Sequence, residues 1–198
     1  LGGRIETSSE PGVGTTFTLV LPLTTAVTQV VMLRIGDFTI GVPSGLVEVV
    51  LRTPTAVVAQ AYKTGGFDMS GQTIPFFWGG SLLQASARSG EMQAKYQAVA
   101  VFRSAGQRLA MHVDEILGNR EVVVKNLGPQ LVHLPGLAAV SVLPSGSVAL
   151  IYNPVALAAV YGEQARRLYR SSLEVADVSG GVSSPGGKTS TPAAAVSQ

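Results

Sequence analysis

Few residues in this chain have the types and spacing to do chemistry. In PGVGTTF, Pro11 to Phe17, Gly12 and Gly14 let the backbone turn tightly and expose N–H groups, and Thr15 and Thr16 add hydroxyls. Such a loop can cradle a phosphate, and it can equally be an ordinary hairpin loop. The only histidines are His112 and His133, and a metal site or a Ser-His-Asp set would need one of them beside acidic or hydroxyl partners. His112 and Asp114 lie two apart in an alternating stretch and can share a strand face, where a surface pair is the plain reading. Asp114 and Glu115 are adjacent, so on a strand they point to opposite faces and do not pair for acid–base work. No catalytic set and no metal site is assigned. Trp78, with Phe76 and Phe77, either fills a core or forms an exposed apolar contact.

Composition narrows the rest. A chain of 198 residues with 46% hydrophobic residues can build a core without covalent staples. The absence of cysteine removes disulfides and thiolate chemistry and fits the cytoplasm. The net charge is only +2 and the 14 basic residues are scattered, so the basic field of a nucleic-acid binder is missing. Arg4 and Glu6 interrupt any signal-peptide pattern. The apolar stretch from Leu134 to Tyr161 is broken by Pro135, Pro144, Gly146, Asn153 and Pro154, far short of the roughly 20 apolar residues that span a bilayer, so no membrane insertion is expected.

The elements that must position these residues are mostly strands. Arg4–Thr7 and Thr16–Leu21 alternate around SSEPGVG, the pattern of a hairpin. TQVVMLRI and FTIGVP are joined at Gly36-Asp37, and LVEVVLR follows. FDM and TIPFF flank Ser70-Gly71-Gln72; YQAVAVFR and RLAMHVDEIL flank Ser104 to Gln107; REVVVK, LAAVSVL and SVALIY complete the set. Short Val-rich strands with Gly turns predict small closed barrels, and two of them, because so few short strands leave one wide barrel hollow. Gly79–Lys95 reads as a short helix or strand followed by a mobile loop. One helix is signalled, with Asn153 as N-cap, Pro154 at its first position and apolar residues from Val155 to Leu168 at helical spacing. Arg166, Arg167 and Arg170 form a solvated face near its end. A Gly/Ser/Thr/Pro/Ala tail makes residues 171–198 a flexible linker.

Two stretches resemble known families. LGGRIETSSEPGVGTTFTLVLPL, within residues 1–24, resembles the end of the ATP-binding domain of GHKL-type histidine kinases, whose final glycine box Gly12, Gly14 and Thr15 match. The family's other nucleotide elements are not in this chain, so these residues read as a remnant of a nucleotide site. Residues 27–165 resemble a CheW-like regulatory domain of a CheA-type chemotaxis kinase. LAMHVDEILGNREVVVKNLGPQL and HLPGLAAVSVLPSGSVALIYNPVALA carry that resemblance. In the family's middle hairpin, N-L-R-G precedes an apolar-Pro run; here Ser70 stands at the arginine position, while Gly71 and Pro75 are kept.

The resemblance implies a mainly all-β fold of two intertwined, small SH3-like β-barrels with a C-terminal helix. It implies that an intact protein is a histidine protein kinase using ATP and magnesium, and that this part is not itself catalytic and holds no cofactor. Its partners would be a CheW-type adaptor and the cytoplasmic tips of chemoreceptors. The contact residues expected are Ser70, Gly71, Pro75 and Trp78 of the middle hairpin, together with Val113, Glu115, Gly118, Glu121, Val123 and Lys125. The alternatives are a fragment that still binds ATP through the glycine loop and a small-barrel binder of nucleic acid.

Overall fold

Two-residue turns set the strand pairing. At Ser70-Gly71 both residues are left-handed (φ 55° and 79°), as are Ala105 and Gly106 (49° and 77°), the twist that brings two strands back antiparallel. The computed structural model describes residues 4–20, 26–125, 127, 131, 133–143 and 145–180. Strands β1 (Arg4–Glu10) and β2 (Gly14–Val20) form a hairpin by themselves. β3 (Ala26–Ile35) and β4 (Phe38–Pro43) lead through a 3-10 turn to β5 (Val47–Pro54), α1 (Thr55–Thr64), β6 (Gly66–Met69), β7 (Gln72–Trp78) and α2 (Gly79–Leu82). Then come β8 (Tyr96–Ser104), β9 (Gln107–Val113), β10 (Glu115–Lys125), β11 (Leu137–Val142), β12 (Val148–Tyr152) and α3 (Pro154–Gly180).

These strands make two small β units. One is a closed barrel in the order β10-β11-β12-β4-β3. The other is a barrel-like sheet, β5-β8-β9-β7-β6, whose edge strands β5 and β6 do not pair with each other. Both expected small barrels are present, and in the second unit a helix does the closing. α1 joins the two edge strands and packs on both, and its Val58 and Ala61 enter a core with Phe67, Ile74, Phe76, Val99 and Val101. On the same sheet Arg108 of β9 reaches both margins, giving a forked pair of hydrogen bonds to Glu48 of β5 and a 3.0 Å bond to Gln72 at the start of β7.

The units are intertwined because the chain supplies β3 and β4 to the barrel, leaves to build β5 to β9, and returns with β10 to β12. Between them lies a shared core. Val31, Leu33 and Ile35 of β3 meet Trp78, Phe102, Leu109, Met111 and Val113 of the second sheet, with Val155, Leu157 and Ala165 of α3 completing it. The alternate β3 residues Val30 and Met32 fill the barrel with Val122, Ala149 and Ile151. Both faces of β3 are therefore buried over Val30–Leu33, which accounts for the unbroken apolar run VVML.

The crossing back to the barrel is at Asp114. RLAMHVDEIL is not the single strand its alternation predicts, for the Asp114 N–H donates to the Arg34 carbonyl (3.1 Å) and its carboxylate accepts from the Gly36 N–H (2.6 Å). β9 ends before it, and β10 runs on through REVVVK by way of a bulge at Gly118, where φ is +97°. α1 is a second departure. Thr55, Val57 and Val58 are β-branched and follow a strand without a break, yet Gly65 (φ 70°) caps a helical turn by donating to Ala61 O at 2.8 Å.

In α3, Asn153 caps as expected: its Oδ1 accepts from the N–H groups of Val155 (3.1 Å) and Ala156 (3.2 Å). The helix continues to Gly180, so residues 171–180 are not the linker that composition indicates; the remainder of that tail, 181–198, and residues 21–25 lie outside the described residues. No helix among the described residues is long and apolar enough to cross a membrane. Gly79–Lys95 resolves to the short α2 and an irregular stretch tied down by Ser89, which donates to Asp114.

The packing at α2 tests this arrangement. A Cβ on Gly80 would lie 2.3 Å from the Trp78 indole nitrogen and 2.5 Å from Ser86 Oγ, the pair that hydrogen-bonds at 2.9 Å. Gly80→Ala is expected to destabilise the fold by about 1–3 kcal/mol, read as a lowered urea midpoint with Trp78 fluorescence red-shifted; an unchanged midpoint would show that the packing is looser than described.

Candidate docking surface

The glycine loop stands apart from both β units. β1 and β2 pair from Arg4↔Val20 to Glu10↔Gly14 and every residue on them is exposed. Gly12 (φ 79°) and Gly14 (φ 146°) take positive φ, and Thr15 Oγ1 lies 2.9 Å from Ser9 Oγ. The loop has hairpin geometry and is exposed along its whole length.

His112 is not the surface residue that its alternating stretch implies. It is fully buried, with Nδ1 2.7 Å from the Tyr62 hydroxyl and Nε2 3.1 Å from Gln97 Oε1. The Gln97 amide nitrogen donates to the carbonyl of Glu91 (3.2 Å), which makes its oxygen an acceptor. His112 therefore carries its proton on Nε2, and Tyr62 donates to Nδ1. Burial pushes the imidazole pKa down to about 4 and raises that of the Tyr62 hydroxyl. Both ring nitrogens are spent on structural bonds. Asp114 points to Gly36 and Ser89 instead, and His133 is exposed, so no nucleophile–base pair forms. No group of metal-binding side chains occurs among the described residues.

The expected contact residues divide by burial. Trp78 and Val113 are enclosed in the shared core and drop out of any contact surface. Ser70, Gly71 and Pro75 are exposed on the β6–β7 hairpin. Ser70, at the motif's arginine position, has a guanidinium nearby: Arg108 from β9 lies 3.6 Å from Met69 Sδ and bonds to Gln72, residues flanking the turn. Glu115 is bound to Arg34 (3.0 Å), which also holds Glu91 in a forked pair (2.9 and 3.2 Å) and keeps the Glu91 carboxyl below the usual range. Gly118 forms the bulge, while Glu121, Val123 and Lys125 are exposed on the outer face of β10.

Around Val123 the register assembles a feature not visible in the sequence. Val123 is opposite Val27 of β3. Val124 is opposite Ser141 of β11, which places Val123 beside Val142, and the Ser141 hydroxyl donates to the Val123 carbonyl at 2.8 Å. Val142 is opposite Val148 of β12. One row across four strands thus presents Val27, Val123, Val142 and Val148, at 58%, 44%, 48% and 62% exposure. Exposed Leu150 extends the apolar surface from the next position of β12, beside Val140, and Glu121 and Lys125 flank Val123 on its own strand. An apolar centre with a charged rim is the anatomy of a protein-binding face. The four valines lie up to 121 positions apart, from Val27 to Val148, and only strand pairing unites them.

A family model described as CheW-like domain matches residues 29–160, which span both β units and the start of α3. The chain is 37% identical over 158 residues to the chemotaxis protein CheA of Cereibacter sphaeroides, covering 78% of this chain and 22% of that protein. It is 33% identical over 160 residues to the chemotaxis protein CheA of Rhizobium meliloti (strain 1021), covering 80% and 21%. The chain thus spans about a fifth of the length of these relatives. A crystal structure of the scaffolding protein TtCheW from Thermoanaerobacter tengcongensis aligns with a TM-score of 0.47 and 13% identity, over 65% of this chain and 90% of that one.

The His112 network predicts a pH dependence of stability. With the folded pKa lowered to about 4 from 6.5, the unfolded chain binds more protons between those values, so the stabilisation is complete above pH 6.5 and is lost as pH falls through 4. Between pH 7 and 5, where most carboxylates stay ionised, the loss is expected to be about 2 kcal/mol. Urea midpoints at the two pH values measure it, and His112→Gln should flatten the slope; an equal slope in both proteins would assign the effect to other groups.

Proposed function

The chain belongs to the CheW-like domain family and is homologous to the regulatory region of CheA-type proteins, a coupling domain of chemotaxis signalling, and on that footing we propose that the valine face of the barrel docks a CheW-type adaptor. What supports the reading is the cross-strand row Val27, Val123, Val142 and Val148, an apolar strip that the fold leaves uncovered among the described residues. A stable contact of ordinary size buries roughly 800 Å² on each side, and a flat strand face with charges at its margin suits a similar barrel on the partner. The exposed hairpin around Ser70, Gly71 and Pro75 is offered as a second contact region, and chemoreceptor cytoplasmic tips as the other class of partner.

Coupling is then positional. The protein performs no reaction in this region; partner binding reorients the two β units as one body, held together by the shared core and the Asp114 crossing. In the intact protein, the neighbouring nucleotide domain would hold ATP and magnesium and act as a histidine kinase in the cytoplasm. The match of Gly12, Gly14 and Thr15 to the end of such a domain fits that placement. This chain alone is read as holding no nucleotide, since an exposed hairpin supplies a few N–H groups but no enclosing wall.

Two measurements check this reading. Binding of a CheW-type adaptor, followed by calorimetry, should weaken more than about tenfold in Val123→Glu and in Val148→Glu, with melting temperatures unchanged because both side chains face solvent; undiminished affinity in both variants would move the docking site elsewhere. ATP titrated into the chain should give no saturable heat at micromolar concentrations; saturable micromolar binding abolished by Gly14→Val would instead establish a working nucleotide loop.

A further inference from the structure

A cavity of about 340 Å³ opens between the C-terminal end of α1, strand β7 and the middle of α3. It is distinct from the valine face, which lies on the closed barrel. Aromatic rings make its walls: Tyr62, Phe76, Phe77, Trp78 and Tyr169, which are two of the chain's five tyrosines, two of its six phenylalanines and its only tryptophan. The rings hold one another in place. Tyr62 sits edge-on to Phe76 (centroids 5.1 Å apart, planes at 84°) and stacks on Tyr169 of α3 (5.0 Å, 23°). Tyr62 is fixed further by its bond to His112, and Trp78 by its bond to Ser86.

The charged residues of the lining are all cationic. Lys63, Arg166 and Arg170 border the cavity, and among the described residues no carboxylate does. Arg166 lies over the Phe77 ring at 5.1 Å, which orients its guanidinium plane. Within the described residues neither Lys63 nor Arg166 has a hydrogen-bonded or ion-paired side chain. Lys63 occupies the last turn of α1 and offsets the negative end of that helix, so the helix terminus does not cancel the cationic rim.

The cavity opens to solvent and is large enough to take a small ring. Preordered aromatic walls with a few convergent polar groups are the features of a small-ligand site. Flat walls take a planar apolar body, and the Lys63 and Arg166 donors take an anion, which a guanidinium fork matches when it is a carboxylate. We propose that this cavity binds a small planar aromatic carboxylate, its ring against the stacked Tyr62–Tyr169 pair and the side of Phe77 and its anion on Arg166 and Lys63.

Calorimetry of the full chain with 2-naphthoate tests the assignment, with 2-naphthalenemethanol as the neutral counterpart and acetate as the anion without a ring. One naphthoate per chain is expected at a dissociation constant at or below about 1 mM, with Trp78 emission quenched at the same midpoint and both control molecules at least tenfold weaker. Arg166→Gln and Lys63→Gln are exposed substitutions that keep the fold, verified by unchanged melting; each should weaken naphthoate severalfold, and together more than tenfold. The proposal is overturned if naphthoate gives no saturable heat, if the alcohol binds as well as the acid, if heat appears without a change in Trp78 emission, or if the double variant binds like the parent.

Discussion

Everything in this molecule depends on a core that belongs to neither β unit alone. Val31, Leu33 and Ile35 project from the barrel, and Trp78, Phe102, Leu109 and Met111 project from the second sheet to meet them. Each unit is too small to bury both faces of its central strands. Their union does so, and α3 seals the seam with Val155, Leu157 and Ala165. Burial of this kind is non-directional, so the orientation of the units comes from polar contacts at the margin. Asp114 bonded to Gly36 and Ser89, and Arg34 bridging Glu91 and Glu115, fix one edge of the joint. At another edge, Asn153 caps α3, donates to Ser104 of β8 (3.1 Å), and through its N–H to the Gly136 carbonyl (2.7 Å).

Much of this was legible in the residues. Val-rich runs punctuated by Gly turns gave the strands, and Asn153-Pro154 gave the start of α3, because those signals are local and lie within a few residues of each other. Three features depend on distant partners and were not legible. α1 has β-branched residues at its start and is made helical by the gap it fills between β5 and β6. The break at Asp114 is invisible to alternation, since His112 and Asp114 have the spacing of strand neighbours while Asp114 lies between β9 and β10, outside both strands. The helix beyond Arg170 runs through residues whose composition reads as a tail. Among the candidate contact residues, the family resemblance pointed to β10 and the middle hairpin but could not tell enclosed Trp78 and Val113 from exposed Val123.

Ser70 stands where the family motif has an arginine. Ser70 carries no charge, yet Arg108 from the neighbouring strand holds a guanidinium beside Met69 and Gln72 while gripping Glu48 on the opposite margin of the sheet. The turn also holds a carboxylate, for Asp68 accepts from the Gly71 N–H at 3.3 Å, while Gly71 and Pro75 are presented to solvent.

The order in which the chain visits its two units also governs how it emerges from the ribosome. β5 to β9 are contiguous, from Val47 to Val113, so the second sheet has all its strands as soon as that stretch is translated. The barrel waits for β12, ending at Tyr152, before β4 acquires its parallel neighbour. Until then β3, apolar on both faces, has only a hairpin mate and the finished sheet to shelter it, an exposure that slow non-local pairing prolongs. A nascent chain stalled between Val113 and Tyr152 is the form in which this protein most needs a chaperone.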